Sequence, residues 1–255
     1  MRGGTGRTII VGDVHGCRAE LEALLDRVAF STGDELVFVG DLIARGPDSL
    51  GVLDIARRTG AVIVRGNHEE KLLAWRASRQ GRPRSGKKRE DEPLGRIHLE
   101  IAEALRPVDW SLLETSPLWY AMPDHDALVV HAGLVPGIPL DQQEFRTLLH
   151  IRALSPRGGA SEDKSSPRLW GSFYEGPPHV IFGHNALPSP QFHPWATGID
   201  TACVYGSRLT AMVLAQGEPV PRGELAARTL VSEPARRVYF DPIKKKELGG
   251  KKDVA

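Results

Sequence analysis

The chain has 255 residues, 41% apolar and 25% charged, with a net charge of +1. That length suits one domain with a sizeable core, and the near-zero charge offers no global field to recruit nucleic acid or a membrane surface. Two cysteines without a CxxC pairing exclude a readable disulfide framework or zinc ribbon. With no basic-then-apolar leader and no apolar run near the roughly 18 residues of a membrane span, the expectation is a cytoplasmic protein.

Thr8–Val11 reads as a buried strand stopped by Gly12. Arg18–Ala29 reads as an amphipathic helix with Leu21, Leu24, Leu25 and Val28 on one stripe. Leu36–Val39 is the second predicted strand. Pro47 can open the next helix, which stops at Gly60. Ala61–Val64 is the third strand, and Glu69–Trp75 continues as helix. This alternation argues for a layered α/β domain with a largely parallel core sheet. Residues 76–92 carry seven Arg or Lys against three acids, so 78–93 is expected to be a basic, mobile surface insertion. Ile97–Leu105 and Pro107–Leu113 read as helices. Leu118–Met122, Ala127–Val130, Val180–Phe182 and Arg208–Leu214 then read as strands of a second, more mixed sheet facing the first. One domain over 1–240 is expected, followed by a disordered Lys-rich tail at 241–255.

Polar clusters follow the apolar runs. Asp13 and His15 stand in GDVHG, Asp41 in GDLIARG, and Asn67 and His68 in RGNHE. In open α/β sheets ligands sit beyond the carboxyl ends of strands, so the three clusters can converge. Asp13 and His15, spaced i and i+2, point to one side in extended backbone and can share a metal. Asp41 can bridge two metals through its two oxygens, although a lone Asp there is as often a turn or cap. Asn67 can ligate through its amide oxygen. His68 then points elsewhere and suits a proton donor better than a ligand. His131 and His184 also end apolar runs, beside small residues, and complete the count. His98, His125, His150 and His193 lack that context and read as surface or structural. His179 precedes its strand and should lie at the opposite pole. An arginine fork is the natural clamp for phosphate oxygens. Arg45 is the best-placed candidate, Arg152 is a weaker one, and Arg65 suits a salt bridge at the strand end.

The ordered set GDVHG, GDLIARG, RGNHE, HAGL and FGH resembles the calcineurin-like metallophosphoesterases of the phosphoprotein-phosphatase branch, over roughly residues 7–214. The resemblance implies a β-sandwich of two mixed sheets flanked by helices and a site for two divalent metals. Manganese is the first choice, with cobalt, zinc or iron as alternatives. Carried over, one metal takes Asp13, His15 and bridging Asp41. The other takes Asp41, Asn67, His131 and His184. Arg45 is then the phosphate arginine and His68 the general acid, with Arg152 as a further substrate-binding candidate. Protein Ser/Thr phosphatases of this branch carry Asp three residues after the bridging Asp, where this chain has Ala44. GDLIARGPDSL and the segment 198–210 are instead similar to bacterial symmetrical diadenosine tetraphosphatases and their relatives. The expected activity is hydrolysis of a dinucleoside polyphosphate by metal-activated water. Phosphoprotein or long-chain polyphosphate are the alternative substrates, and a metal-binding module without catalysis is the non-enzymatic rival.

Overall fold

A computed structural model describes residues 6–81 and 94–241. The first sheet is assembled from β1 (Thr8–Val11), β2 (Glu35–Phe38), β3 (Val62–Ile63), and two strands from the end of the chain, β11 (Arg208–Leu214) and β12 (Leu230–Pro234). Its order is β12-β11-β1-β2-β3. β1, β2 and β3 run parallel, while β11 pairs antiparallel with β1 and β12. The parallel part arises because helices supply the crossovers: α1 (Arg18–Arg27) between β1 and β2, and α2 (Ser49–Thr59) between β2 and β3. α2 begins two residues after Pro47, because the Asp48 carboxylate accepts the Gly51 N–H at 2.7 Å and makes Asp48 the cap. It ends at Gly60, whose φ of 65° is left-handed.

β3 leads into α3 (Asn67–Arg79), and α4 (Arg96–Ala104) and α5 (Pro107–Glu114) follow. Ser78 and Arg79, expected in the basic insertion, close α3 instead. The rest of that segment, 82–93, and the tail 242–255 lie outside the described residues. The second sheet contains β4 (Trp119–Met122), β5 (Ala127–Val130), β8 (His179–Phe182), β9 (Gln191–Phe192) and β10 (Ala196–Gly198), in the order β4-β5-β8-β10-β9. β5, β8 and β10 are parallel, with antiparallel β4 and β9 at the edges. Between β5 and β8 come α6 (Phe145–His150) and a small two-stranded ribbon, β6 (Ala153–Leu154) with β7 (Ala160–Ser161).

Strand alternation divides the apolar residues into layers. Ile10, Val37, Val129, Ile181 and Met212 pack together between the two sheets. Their neighbours Ile9, Val11, Leu36 and Phe38 face α1, α2 and the other helices. Leu128, Val130, Val180 and Phe182 form a third cluster with Trp170 on the outside of the second sheet. The expected sandwich of two mixed sheets flanked by helices is the observed architecture. β9, β10 and β12 add strands beyond the sequence reading.

A carboxylate and histidine centre at the strand ends

The side chains of interest emerge where β1, β2, β3, β5 and β8 end. Asp13 and His15 follow β1, Asp41 follows β2, Asn67 opens α3 after β3, His131 follows β5 and His184 follows β8. Backbone conformation at this end is unusual. Among the described residues, His15, Asp41, Ala44, Arg45 and His184 all have positive φ, between 48° and 69°. L-residues held in that region are strained, and here they share one surface.

Asp41 is the hub. His15 Nε2 and His131 Nε2 each lie 3.6 Å from one of its oxygens, and His68 Nε2 lies 4.0 Å away. Two donor groups share it, His15 with Asp41 and His68, and His131 with Asp41 and His184. Asp13 borders the first group, with Oδ2 4.0 Å from His15 Nε2, while its carboxylate accepts the backbone N–H of His184. Asn67 borders the second, with Oδ1 3.1 Å from His131 Nε2. The candidates therefore converge, and His68 joins the first donor group alongside them. It is the least enclosed of these imidazoles flanking Asp41, at 10% side-chain exposure against 3% for His15 and none for His131.

Two histidines have their tautomers set by the backbone. His15 Nδ1 lies 3.1 Å from the Ile43 carbonyl and His131 Nδ1 lies 3.0 Å from that of Val39. A carbonyl only accepts, so each Nδ1 carries the proton and each Nε2 turns a lone pair into the site. At His15 that lone pair meets the Arg45 guanidinium. At His131 it faces the Asn67 amide oxygen, and burial holds the His131 pKa down to about 3, so the ring stays neutral. An imidazole nitrogen and an amide oxygen side by side are donors that one cation could share. The donor set thus fits divalent ions of mixed nitrogen and oxygen preference.

The carboxylates give the same answer. Burial pushes Asp41 and Asp200 up to about 6. Burial, reinforced by the charges of Asp200 and Asp41, raises Asp13 well above the usual carboxylate range. Glu69 is pushed up to about 8, by burial first and then by Asp41. It accepts the backbone N–H groups of Asp41, Leu42, Ile43 and Gly66 at 2.9 to 3.3 Å, pinning the loop that presents Asp41. So many desolvated acids ionise readily only beside positive charge.

Both arginine candidates reach this region. Arg45 stacks over Tyr205 and Phe240, with Cζ 5.6 and 5.9 Å from the ring centroids. Arg152 is half-buried and donates through Nη1 to the His184 carbonyl at 2.8 Å and to Asn185 Oδ1 at 3.0 Å. Arg65 is structural, bound to Glu70, Ser116 and the Glu114 carbonyl.

Four further residues belong here that motif reading passed over. Glu69 and Asp200 are two, and the signal for Glu69 was an acid three residues past the glycine that starts a helix. His98 and His150, expected to be surface or structural, lie beside the centre. His98 Nε2 lies 2.9 Å from His68 Nδ1, and the His150 ring packs 6.0 Å from that of His184. His125 and His193 are structural, bonded to Thr8 and Ser172. His179 is the first residue of β8, bonded to Thr197.

Residues 6–214 match the family model described as calcineurin-like phosphoesterase. A symmetrical bis(5'-nucleosyl)-tetraphosphatase of Chromohalobacter salexigens is 31% identical, the alignment covering 83% of this chain and 96% of the relative. The asymmetrical bis(5'-nucleosyl)-tetraphosphatase PrpE of Oceanobacillus iheyensis is 28% identical, over 79% of this chain and 86% of the relative. Among solved structures, that of a candidate diadenosine tetraphosphatase superposes with a TM-score of 0.73 at 35% identity, over 92% of this chain and 96% of that one. The chain belongs to the calcineurin-like phosphoesterase family and is a metallophosphoesterase, a hydrolase of phosphoesters or phosphoanhydrides. No helix among the described residues is long and apolar enough to cross a membrane.

Proposed function

We propose that this chain hydrolyses dinucleoside polyphosphates, diadenosine tetraphosphate among them, at the centre built around Asp41. The observation that carries the reading is the sharing of Asp41 by two histidine-rich donor groups with Arg45 in contact with one of them. Asp13, His15 and Asp41 would hold one divalent cation, and Asp41, Asn67, His131 and His184 would hold the other. When bound, such a pair supplies Lewis-acid activation of water and of the phosphoryl oxygens. Manganese is the first candidate, and cobalt, zinc and iron suit the same donors.

The chain's own residues do the rest. Arg45 clamps the equatorial phosphoryl oxygens, where charge accumulates as phosphorus is attacked. Arg152 adds a second positive group, held in place by His184 and Asn185. His68, at the open side of the centre, protonates the leaving oxygen from Nε2. In a phosphoanhydride that oxygen is already a good leaving group, so the methyl of Ala44 in place of an orienting carboxylate is tolerated.

A cavity of about 310 Å³ lined by Arg45, Gly46, Pro47, Arg237, Val238 and Tyr239 supports a substrate longer than a phosphomonoester. One arginine borders both that cavity and the metal-ligand side chains, so a nucleoside can extend from the phosphate it holds. The tetraphosphatase relatives favour the same substrate class. A cytoplasmic location belongs to this reading.

The test is a panel of diadenosine tetraphosphate, a phosphoserine peptide and long-chain polyphosphate, with manganese, cobalt, zinc or magnesium and products resolved by chromatography. The expected result is fastest turnover of the dinucleotide. Two ADP define symmetrical cleavage, whereas ATP and AMP define asymmetrical cleavage. Faster dephosphorylation of the peptide would instead assign a phosphoprotein phosphatase, and faster chain shortening an endopolyphosphatase.

A further inference from the structure

His68 has two ring nitrogens with different surroundings. Nε2 faces the centre, 4.0 Å from Asp41 Oδ2. Nδ1 faces away and shares a 2.9 Å hydrogen bond with His98 Nε2. The two rings are nearly coplanar, edge to edge, with centroids 4.9 Å apart and an interplanar angle of 16°. The His68 backbone is fixed separately, its N–H donating to Asp41 Oδ1 at 2.9 Å. Ala44 carries only a methyl, so it offers this ring no polar partner. His98 stands near the start of α4, a helix tied to the core through Ile101, Ala102 and Leu105.

We propose that His98 is the positioning residue for His68, holding the Nδ1 edge so that Nε2 points at the leaving oxygen. The inference rests on the reading of His68 as the proton donor. In the His68 imidazolium, Nδ1–H donates to the Nε2 lone pair of His98, so the proton released into the site is the one on Nε2 and the neutral Nδ1–H ring remains. This hydrogen bond, made in the plane of the ring, restricts its rotation about χ2. An imidazole does this without adding another negative charge beside the buried Asp13, Asp41 and Asp200. In the step itself, the oxygen of water forms the new bond to phosphorus and the old phosphorus–oxygen bond breaks. The leaving oxygen takes the Nε2 proton. Solvent takes the proton lost by the water and returns one to His68.

The experiment is a double-mutant cycle on the full chain loaded with manganese, using His98→Ala, His98→Gln, His68→Asn and the double variant. Substrates are an alkyl phosphate, with a poor leaving group, and p-nitrophenyl phosphate, with a good one. His98→Ala keeps a good helix former in α4. It should lower kcat on the alkyl phosphate by about 10-fold or more, a share of the roughly 100- to 10,000-fold that a proton donor contributes. KM should stay within about two-fold and p-nitrophenyl phosphate should be nearly unaffected. His98→Gln, which keeps a hydrogen-bonding group, should restore part of the loss. In the His68→Asn background His98→Ala should cost nothing further. In the neutral ring left after the Nε2 proton has gone, nitrogen NMR of the zinc-loaded protein should show one His68 tautomer, with the remaining proton on Nδ1, and a mixture in His98→Ala. If His68→Asn is slow but His98→Ala is unimpaired, or its loss is equal on both substrates or additive with His68→Asn, the positioning role is overturned and the donor stands. If His68→Asn leaves the alkyl phosphate rate intact, both the donor and its positioning residue are overturned.

Discussion

Burial of acids is the dominant physical fact at the scale of single residues. Asp13, Asp41 and Asp200 are nearly inaccessible to water, and each is raised above its ordinary pKa by desolvation first. A raised carboxyl holds its proton in the folded protein at a pH where the unfolded chain has released it. Its favourable contribution to metal-free stability is therefore present at low pH. It is lost as pH rises from 3.8 towards about 6 for Asp41 and Asp200. Metal binding requires the ionised form, so protons and cations compete at these groups. The His131 ring does not compete there, being already neutral above about 3. The rise in Tm on adding manganese should accordingly grow between pH ~5 and pH ~7, on either side of the value of about 6 for Asp41. Differential scanning calorimetry at matched free metal measures it, and a gain independent of pH would contradict the assignment of Asp41 as a ligand. Asp41→Ala should abolish bound metal and lower kcat by more than the roughly 10–100-fold typical of outer-sphere partners. Far-ultraviolet circular dichroism should be unchanged, and a metal-loaded, active variant would remove Asp41 from the centre.

The strand is the next scale, and its end is the functional unit. β8 delivers His184 through Gly183, and a methyl on Gly183 would stand 2.0 Å from Asp13 Oδ1 and 2.6 Å from Val39 Cγ2. Gly183→Ala should therefore displace the Asp13 carboxylate. The expected cost is about 1–3 kcal/mol of stability from overpacking and about 10–100-fold in metal affinity, read by isothermal titration. Gly95→Ala, where nothing lies within 4 Å, is the control and should change neither. The same element explains what a reader of the sequence could see. β1 and β5 were legible to the residue because each is a short, largely apolar run with both faces buried, and β11 because its stretch from Leu209 to Met212 is buried on both faces. β9, β10 and β12 were not, because they are two to five residues long and carry Gln191, Thr197 and Ser232. The convergence of Asp13, His15, Asp41, Asn67, His131 and His184 was legible because each follows such a run. Asp200 and His98 were not, and Glu69 only as a helix cap, since their roles at the centre depend on partners distant in sequence, such as Asp13, His68 and Asp41 N. Local spacing carries no trace of those pairings.

Across the whole molecule, the centre joins the two sheets. β1, β2 and β3 of the first sheet supply Asp13, His15, Asp41 and Asn67, while β5 and β8 of the second supply His131 and His184. A cation bound by both sets would cross-link the layers, and its stabilisation would depend on how the sheets pack. Ile181 is fully buried between them, in β8 three residues before His184. Leu24 is equally buried but lies in α1, on the helical face of the first sheet. Either residue changed to Ala should cost about 2–5 kcal/mol of metal-free stability. Their effects on metal binding should differ. Bound metal stabilises by an amount set by free concentration over Kd, about 2.7 kcal/mol at 100-fold saturation. Ile181→Ala loosens the sandwich that sets the spacing between Asp41 and His131, so Kd should rise and the gain on adding manganese should shrink. Leu24→Ala leaves the inter-sheet layer intact, so its gain should equal that of the parent chain. Urea unfolding of both variants with and without manganese gives the comparison. Equal gains in the two variants would mean that the first sheet alone fixes the centre, with His131 and His184 adding little to it.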